Sequence, residues 1–339
     1  MDAPRHTLTL DELRLAGQRV PPVKAKRPMF TPGRAVYLAY HYPRLLWRDG
    51  LLNRFQAWRG RSAMLASLKE LRPRPSIRPD PAAPAVEVHY LTGKRFLALT
   101  SLAAYSAQAA FGRPVRPVFH DDGTLDDADR AGFRGIFPDA RIVGTDEIMQ
   151  GLDERLGAGR FPILRRLRAG YIHLRKLTDI HATSPGAKLV TDSDVLFFGL
   201  PRQLLETVAS GRWCFMQDCR TSYGYPIPAL EALAGARLHP RVNVGILHAR
   251  SDAIDWGFVE HAAGVLLARH GFSYYLEQAL TAMLMARANG EALGPEYMAN
   301  PDEKAARSGP PVAMHFLDRS ILLLYRFGWR RVLAGPAPA

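Results

Sequence analysis

The sequence predicts an α/β protein built on a mixed, mainly parallel sheet flanked by helices. Three observations predict it. Short apolar runs alternate with helix-length segments from residue 86 onward, acidic turns follow two of those runs, and 47% of residues are hydrophobic against 23% charged. Strands separated by helical segments form βαβ units, whose crossovers require parallel neighbours. A chain of 339 residues buries a sizeable core as one large domain or two small ones. We divide it into residues 1–80, a basic Arg/Pro-rich extension and linker, and residues 81–330, the folded domain.

Residues 1–80 hold 16 Lys and Arg against 6 Asp and Glu, whereas the remainder holds 29 against 26. The net charge of +13 therefore belongs mostly to the N-terminal segment. A nearly neutral body argues against a reader of nucleic acid, which carries basic charge on its folded face. Tyr37, Tyr40, Tyr42, Trp47, Phe55 and Trp58 interleave with the basic residues. Such an arm either lies on an anionic membrane or a partner, or is a solvated extension. A helical pattern runs from Ala63 to Leu71, and the prolines from Pro73 to Pro81 then favour an extended linker.

Beyond the linker, Val86–Leu91 reads as a strand, 94–111 as a helix and Pro117–His120 as a second strand. Asp126–Phe137 reads as a helix, Arg141–Val143 as a third strand, and 161–182 as containing a basic amphipathic helix that ends before Ser184. Ala187–Val190 reads as the next strand, and Lys188–Phe198 as a buried strand that delivers two carboxylates. Cys214 and Cys219 are too few for a disulfide framework or a four-ligand zinc site. No segment approaches the ~20 apolar residues that span a bilayer, and the N-terminus lacks a signal-peptide layout. The expected location is the cytoplasm, with peripheral contact to the inner face of a membrane.

In parallel sheets ligands bind beyond the carboxyl ends of the strands, where Asp121-Asp122 and Asp192-Ser193-Asp194 fall. Alternation along an extended chain puts Asp192 and Asp194 on one side. Two buried carboxylates there repel each other and lose hydration. A divalent cation removes that cost and bridges to phosphate oxygens.

The run Lys188–Leu196 resembles the "lylDsDvl" core of the GT-A glycosyltransferases. Three further segments follow in the order of the retaining, glycogenin-like and galactosyltransferase-like members. They are Arg241–Leu247 (similar to "fNsGvml"), Glu277-Gln278 (similar to "DQ" at a helix start) and Val312–Phe316 (similar to "vHf"). His120–Thr124 resembles the "DDGS/T" turn that approaches the nucleotide base. The resemblance implies a GT-A fold over residues 85–320 and Mn²⁺ or Mg²⁺ held by Asp192, Asp194 and His315. It implies that Asp122, Lys176, Asp192, Ser193, Asn243 and Gly245 face the donor, with either Arg175 or Lys176 meeting the phosphates. Glu277 or Gln278 would lie near the reacting carbon, and Asp218 is a candidate acceptor-side acid. Glu277 departs from the family's Asp, and Asp318-Arg319 stands where the family often has "G-x-K"; Arg319 is the remaining candidate cation for the diphosphate.

The implied activity is metal-dependent transfer of a sugar from a nucleotide-diphosphate donor, a UDP-sugar first, to a hydroxyl of a glycan or lipid-linked acceptor. An Arg/Ala/Pro-rich composition is compatible with bacterial glycan biosynthesis. Retention is favoured over inversion, because the resemblance is to retaining families. The alternatives are a sugar-1-phosphate nucleotidyltransferase, whose glycine-rich signature is absent after the first strand, and a non-catalytic membrane-surface protein on the same fold. No G-x-G-x-x-G follows a predicted strand, which argues against a dinucleotide-dependent dehydrogenase.

Overall fold

The computed structural model describes residue 40, residues 42–73 and residues 85–335. The rest of the expected extension, including most of the proline-rich linker, lies outside the described residues. The described chain opens with α1 (Tyr42–Asp49) and α2 (Leu51–Lys69). There follow β1 (Val86–Thr92), α3 (Leu97–Ala110), β2 (Val115–Asp121), α4 (Asp127–Ile136) and β3 (Arg141–Val143). Three helices come next, α5 (Thr145–Arg155), α6 (Pro162–Gly170) and α7 (Leu174–Ala182), then β4 (Ala187–Thr191) and β5 (Val195–Phe197). The C-terminal half contains α8 (Arg202–Ala209), β6 (Cys214–Gln217), α9 (Ile227–Ala234), β7 (Val242–Arg250), α10 (Trp256–His270) and α11 (Leu276–Arg287). It ends with β8 (Glu291–Ala292), β9 (Tyr297–Ala299), α12 (Glu303–Ser308), β10 (Ala313–His315) and a helical run from Ile321 to Ala334.

Seven strands form one sheet in the order β3-β2-β1-β4-β7-β6-β8. β7 runs antiparallel to both of its neighbours, and the other pairs are parallel. The mixed, mainly parallel sheet is thus the predicted one. β1 sits near its centre, so Val88 and Tyr90 on one face and His89 on the other are all buried. Helices cover both faces, as a sheet apolar on both sides demands. α5, α6, α7, α10 and α11 enclose one core, around Leu152, Leu167, Ile180 and Leu266. α2, α3 and the C-terminal helical run enclose the other, around Met64, Leu102, Phe119 and Leu324.

Two readings need correction. The 161–182 segment is two helices, broken at Tyr171. The Arg168 pair with buried Asp179, bonded twice at 2.8 Å, holds them side by side, which one straight helix cannot do. Lys188–Phe198 is likewise not one strand. A turn closed by Val195 N–H donating to Asp192 O at 3.2 Å ends β4, and β5 leaves to pair antiparallel with β10 in a three-stranded sheet. Alternation therefore does not place the two aspartates; the turn does. The helix expected from Ala63 starts earlier, at Leu51. It packs on the C-terminal run so closely that a Cβ at Gly60 would lie 1.9 Å from Tyr325 O.

Behind the sheet, burial holds His89 and His120 well below the ordinary histidine pKa, with Lys188 adding at both and His89 also acting on His120. His181 is pushed down to about 3, by burial first and by Lys188 second. All three are neutral when folded and titrate near 6.5 when unfolded. Their stability contribution is full above that pH and is lost progressively as pH falls from there toward the folded values. Three such sites give a slope of at most ~4 kcal/mol per pH unit. The urea midpoint should fall from pH 7 to 5, and His181→Gln should remove about one third of the histidine slope. A flat profile would show that these imidazoles are not buried as neutral groups.

Candidate metal and nucleotide site

The carboxyl ends of β1, β2 and β4, the turn after β4 and the start of α11 converge on one cleft. It has two lobes that share His173, Lys176, Asp192 and Asp194. The smaller lobe, about 220 Å³, is lined by Thr92, Phe96, Asp122, Lys176 and Ser193 among others. The larger, about 600 Å³, is lined by Asp218, Asn243, Tyr274, Glu277, Gln278 and His315 among others.

At the junction, His315 Nε2 lies 3.1 Å from Asp194 Oδ1 and 3.6 Å from Asp192 Oδ2. The ring orientation is fixed from behind. Asn243 Oδ1 stands 2.9 Å from His315 Nδ1 and accepts Gly245 N–H at 2.8 Å, while Asn243 Nδ2 donates to Asp218 Oδ2 at 3.3 Å. An amide oxygen only accepts, so Nδ1 carries a proton and Nε2 is the ring atom that faces the two carboxylates. Burial opposes a charge on His315, but Asp194 and then Asp192 outweigh it and raise its pKa. Three electron-rich ligand atoms within 4.8 Å of one another, with a hydrogen bond behind the imidazole, fit a divalent cation.

Gly245 makes this possible. A Cβ there would sit 2.2 Å from His315 Nδ1 and 2.8 Å from Asn243 Oδ1. The Gly245 carbonyl also accepts Asp192 N–H at 2.9 Å, anchoring the start of the aspartate turn. The turn's middle residue, Ser193, shares a hydroxyl bond of 2.8 Å with Thr100 on α3.

Lys176 and Arg175 separate here. Lys176 Nζ enters the cleft and donates to Asp192 Oδ1 at 2.8 Å and to Val244 O at 3.0 Å. Burial disfavours its charge, yet Asp192 and Glu277 hold the pKa above the usual lysine value. Arg175 instead donates to the Asp122 carbonyl at 2.8 Å, bracing the first acidic turn. Just past β1, Gly93 leaves room for Asp122, whose Oδ1 would lie 2.0 Å from a Cβ. Arg319 points elsewhere, with Nε 3.3 Å from Asp49.

In the larger lobe, Gln278 Nε2 donates to Asp218 Oδ2 at 3.2 Å and to Val242 O at 2.8 Å. Both amide protons are thus used, which leaves its oxygen for a ligand. Glu277 is buried beside it, and burial pushes its pKa up to about 7, with Lys176 offsetting part and Asp192 adding. Because the folded value exceeds the unfolded one, Glu277 gives the opposite slope to the histidines: its stability contribution is full below pH ~4.5 and is lost as pH rises to about 7.

The structure brings Asp192, Asp194, His315, Lys176, Asn243, Gly245, Asp218, Glu277 and Gln278 together, with Asp122 and Ser193 on the smaller lobe. Sequence reasoning missed Tyr171, His173 and Tyr274. The Tyr171 hydroxyl donates to Tyr274 O, and His173 packs edge-on against the Tyr274 ring at 4.7 Å. The first two occupy the break inside what reads as one helix, so periodicity hid them.

No protein-family model and no curated protein matches the chain. Solved structures similar to it include glycosyltransferases. Mouse xyloside xylosyltransferase 1 is 11% identical over 70% of this chain and 99% of its own, with a TM-score of 0.49. An active-site mutant of LgtC is 15% identical over 69% of this chain and 88% of its own, at 0.46. GlyE of Streptococcus pneumoniae TIGR4 is 13% identical over 74% of this chain and 62% of its own, at 0.42.

Proposed function

We propose that the chain transfers a sugar from a nucleoside-diphosphate donor to an acceptor hydroxyl, with a divalent cation at Asp192, Asp194 and His315. The observation that carries this reading is the position of the Asp-Asp-His cluster at the junction of two lobes, one sized for a base and ribose, the other polar and roomier. A diphosphate spanning that junction would place its sugar in the larger lobe.

When bound, Mn²⁺ or Mg²⁺ would act there as a Lewis acid on the leaving diphosphate. Asp192 and Asp194 would supply carboxylate ligands and His315 an imidazole nitrogen, a set that suits either ion with manganese favoured by the nitrogen. Lys176 holds Asp192 in place and adds positive charge where negative charge develops. Asp218 and Val242 O aim the Gln278 oxygen at the cleft, a polar group suited to face an electron-poor anomeric carbon, which supports retention. Glu277, poised to about 7 by burial, is able to exchange a proton near neutral pH. Asp122 lines the smaller lobe and in this reading meets the base or ribose. The acceptor side belongs to the mouth of the larger lobe, near Asp218 and Tyr274, and a glycan or lipid-linked glycan fits it. We place this activity in the cytoplasm, in bacterial glycan biosynthesis, with UDP as the first nucleotide to test. The division into a 1–80 extension and an 81–330 catalytic domain belongs to the same reading.

A thermal-shift panel of nucleoside diphosphates with and without Mn²⁺ tests it. The matching nucleotide at 100 times its Kd should stabilise the fold by ~2.7 kcal/mol, and only with the cation. Release of pyrophosphate from a sugar-1-phosphate and a nucleoside triphosphate would instead assign a nucleotidyltransferase.

A further inference from the structure

We propose that α1 and the outer face of α2 form a docking surface for an anionic lipid bilayer. Of the eleven large apolar side chains exposed among the described residues, six fall between residues 40 and 58. Trp47 is 91% exposed, Leu51 71%, Leu52 68%, Phe55 52% and Trp58 63%. Single exposed apolar residues need no explanation, but a contiguous group of this size does.

The spacing puts half of the group on one face, where the Phe55 and Trp58 rings stack with centroids 5.9 Å apart. Leu51, Phe55 and Trp58 follow i, i+4, i+7 along α2 and share a face. Ala57, Gly60, Met64 and Leu68 line the opposite face and are buried against the body. α2 is thus apolar on both sides, and only one side is covered among the described residues. A helix that merely capped the core would carry polar residues outward.

Charge identifies the occupant. Arg44, Arg48, Arg59 and Arg61 are exposed beside the apolar group, and the Arg59 guanidinium lies 6.0 Å from the Phe55 ring centre. The one carboxylate between residues 40 and 62 is Asp49, buried and held by Arg48 and Arg54 at 2.8 and 2.7 Å. A second copy would bring this positive surface against itself. Residues 1–39, with 7 Lys and Arg against 3 Asp and Glu, would be repelled in the same way. A bilayer with anionic headgroups meets both needs: aromatic and leucine side chains settle at the headgroup boundary while Arg44, Arg59 and Arg61 pair with phosphates. No helix of the described residues is long and apolar enough to cross a membrane, so the surface lies on the bilayer.

The patch is also wired to the cleft. Arg319 Nη2 donates to Arg48 O at 3.0 Å, and Arg48 lies 3.6 Å from Asp318. Asp318 and Leu317 line the larger lobe just past His315. Docking would therefore set the mouth of that lobe close to the lipid surface, within reach of an acceptor carried by the membrane.

The test uses the full chain and needs no nucleotide, so its outcome is independent of the proposed transfer reaction. Cosedimentation with phosphatidylcholine vesicles is compared with vesicles that also contain phosphatidylglycerol. Binding is expected to the anionic vesicles, with a blue shift of tryptophan emission and weakening by salt. The variant Trp47→Ser/Phe55→Ser/Trp58→Ser should lose on the order of 100-fold in partitioning, with its melting temperature unchanged because the buried face of α2 is intact. Absence of wild-type binding, or equal binding by the variant, would overturn the proposal. A wild-type dimer that the same substitutions turn into a monomer would overturn it too, by giving the surface to a second copy.

Discussion

Asp194→Ala is expected to abolish cation-dependent nucleotide binding and to lower sugar transfer by about a thousandfold or more. Asp194 is the carboxylate nearest His315 Nε2, at 3.1 Å. Removing it leaves one carboxylate and one imidazole, too few anionic ligands to hold a divalent ion against water. The fold should survive. Only the side chain is lost, since the Asp194 carbonyl still accepts Phe316 N–H at 3.0 Å and Val195 still closes the turn onto Asp192 O. The far-ultraviolet circular dichroism should therefore match the parent while the Mn²⁺-dependent thermal shift vanishes. A variant that kept a cation-dependent shift would show that the ion binds elsewhere. Loss of the dichroism signal would make Asp194 a structural residue.

Gly245→Ala should weaken Mn²⁺ binding by roughly 10- to 100-fold while leaving all three ligand residues in the sequence. The added methyl would meet His315 Nδ1 at 2.2 Å and Asn243 Oδ1 at 2.8 Å. His315 and Asn243 are both buried, so neither swings away freely. The Nδ1–H···Oδ1 bond that fixes the imidazole would break, and Nε2 would lose its aim at the two carboxylates. Overpacking of this kind costs about 1–3 kcal/mol of stability. Gly135→Ala is the control, because a Cβ there meets nothing within 4 Å. Alanine inside that exposed helix should stabilise it by ~0.5–1 kcal/mol. Mn²⁺ titration calorimetry on both variants decides the matter. Equal affinities would show that the His315 orientation is set by something other than the space above Gly245.

Much of the site was legible because its residues sit at strand ends and carry chemistry their neighbours do not. Asp192 and Asp194 interrupt an apolar run, and His315 follows another. The route by which the two aspartates converge was not legible. A strand and a tight turn both bring residues two apart near one another, and only the departure of β5 to β10 distinguishes them. Lys176 and Arg175 are adjacent on one helix, and sequence has no means of choosing between them. The fold chooses: α7 lies so that Lys176 reaches Asp192 while Arg175 braces the Asp122 carbonyl. Tyr171 and His173 stayed hidden because the basic amphipathic pattern runs unbroken across a helix break that the Arg168–Asp179 pair enforces.

The sequence by itself determined the α/β class, the concentration of positive charge in the first 80 residues, and the chemical types at the carboxyl ends of β2 and β4. Periodicity and charge are local properties, and a linear chain displays them directly. Only the tertiary structure decided that His315, 121 residues beyond Asp194, points its Nε2 at both carboxylates, and that the first acidic turn shares their cleft. It alone decided that α2 turns one apolar face to the core and another outward. These depend on which elements pack together, and packing is set by the fit of surfaces from distant segments rather than by the order of residues along one of them.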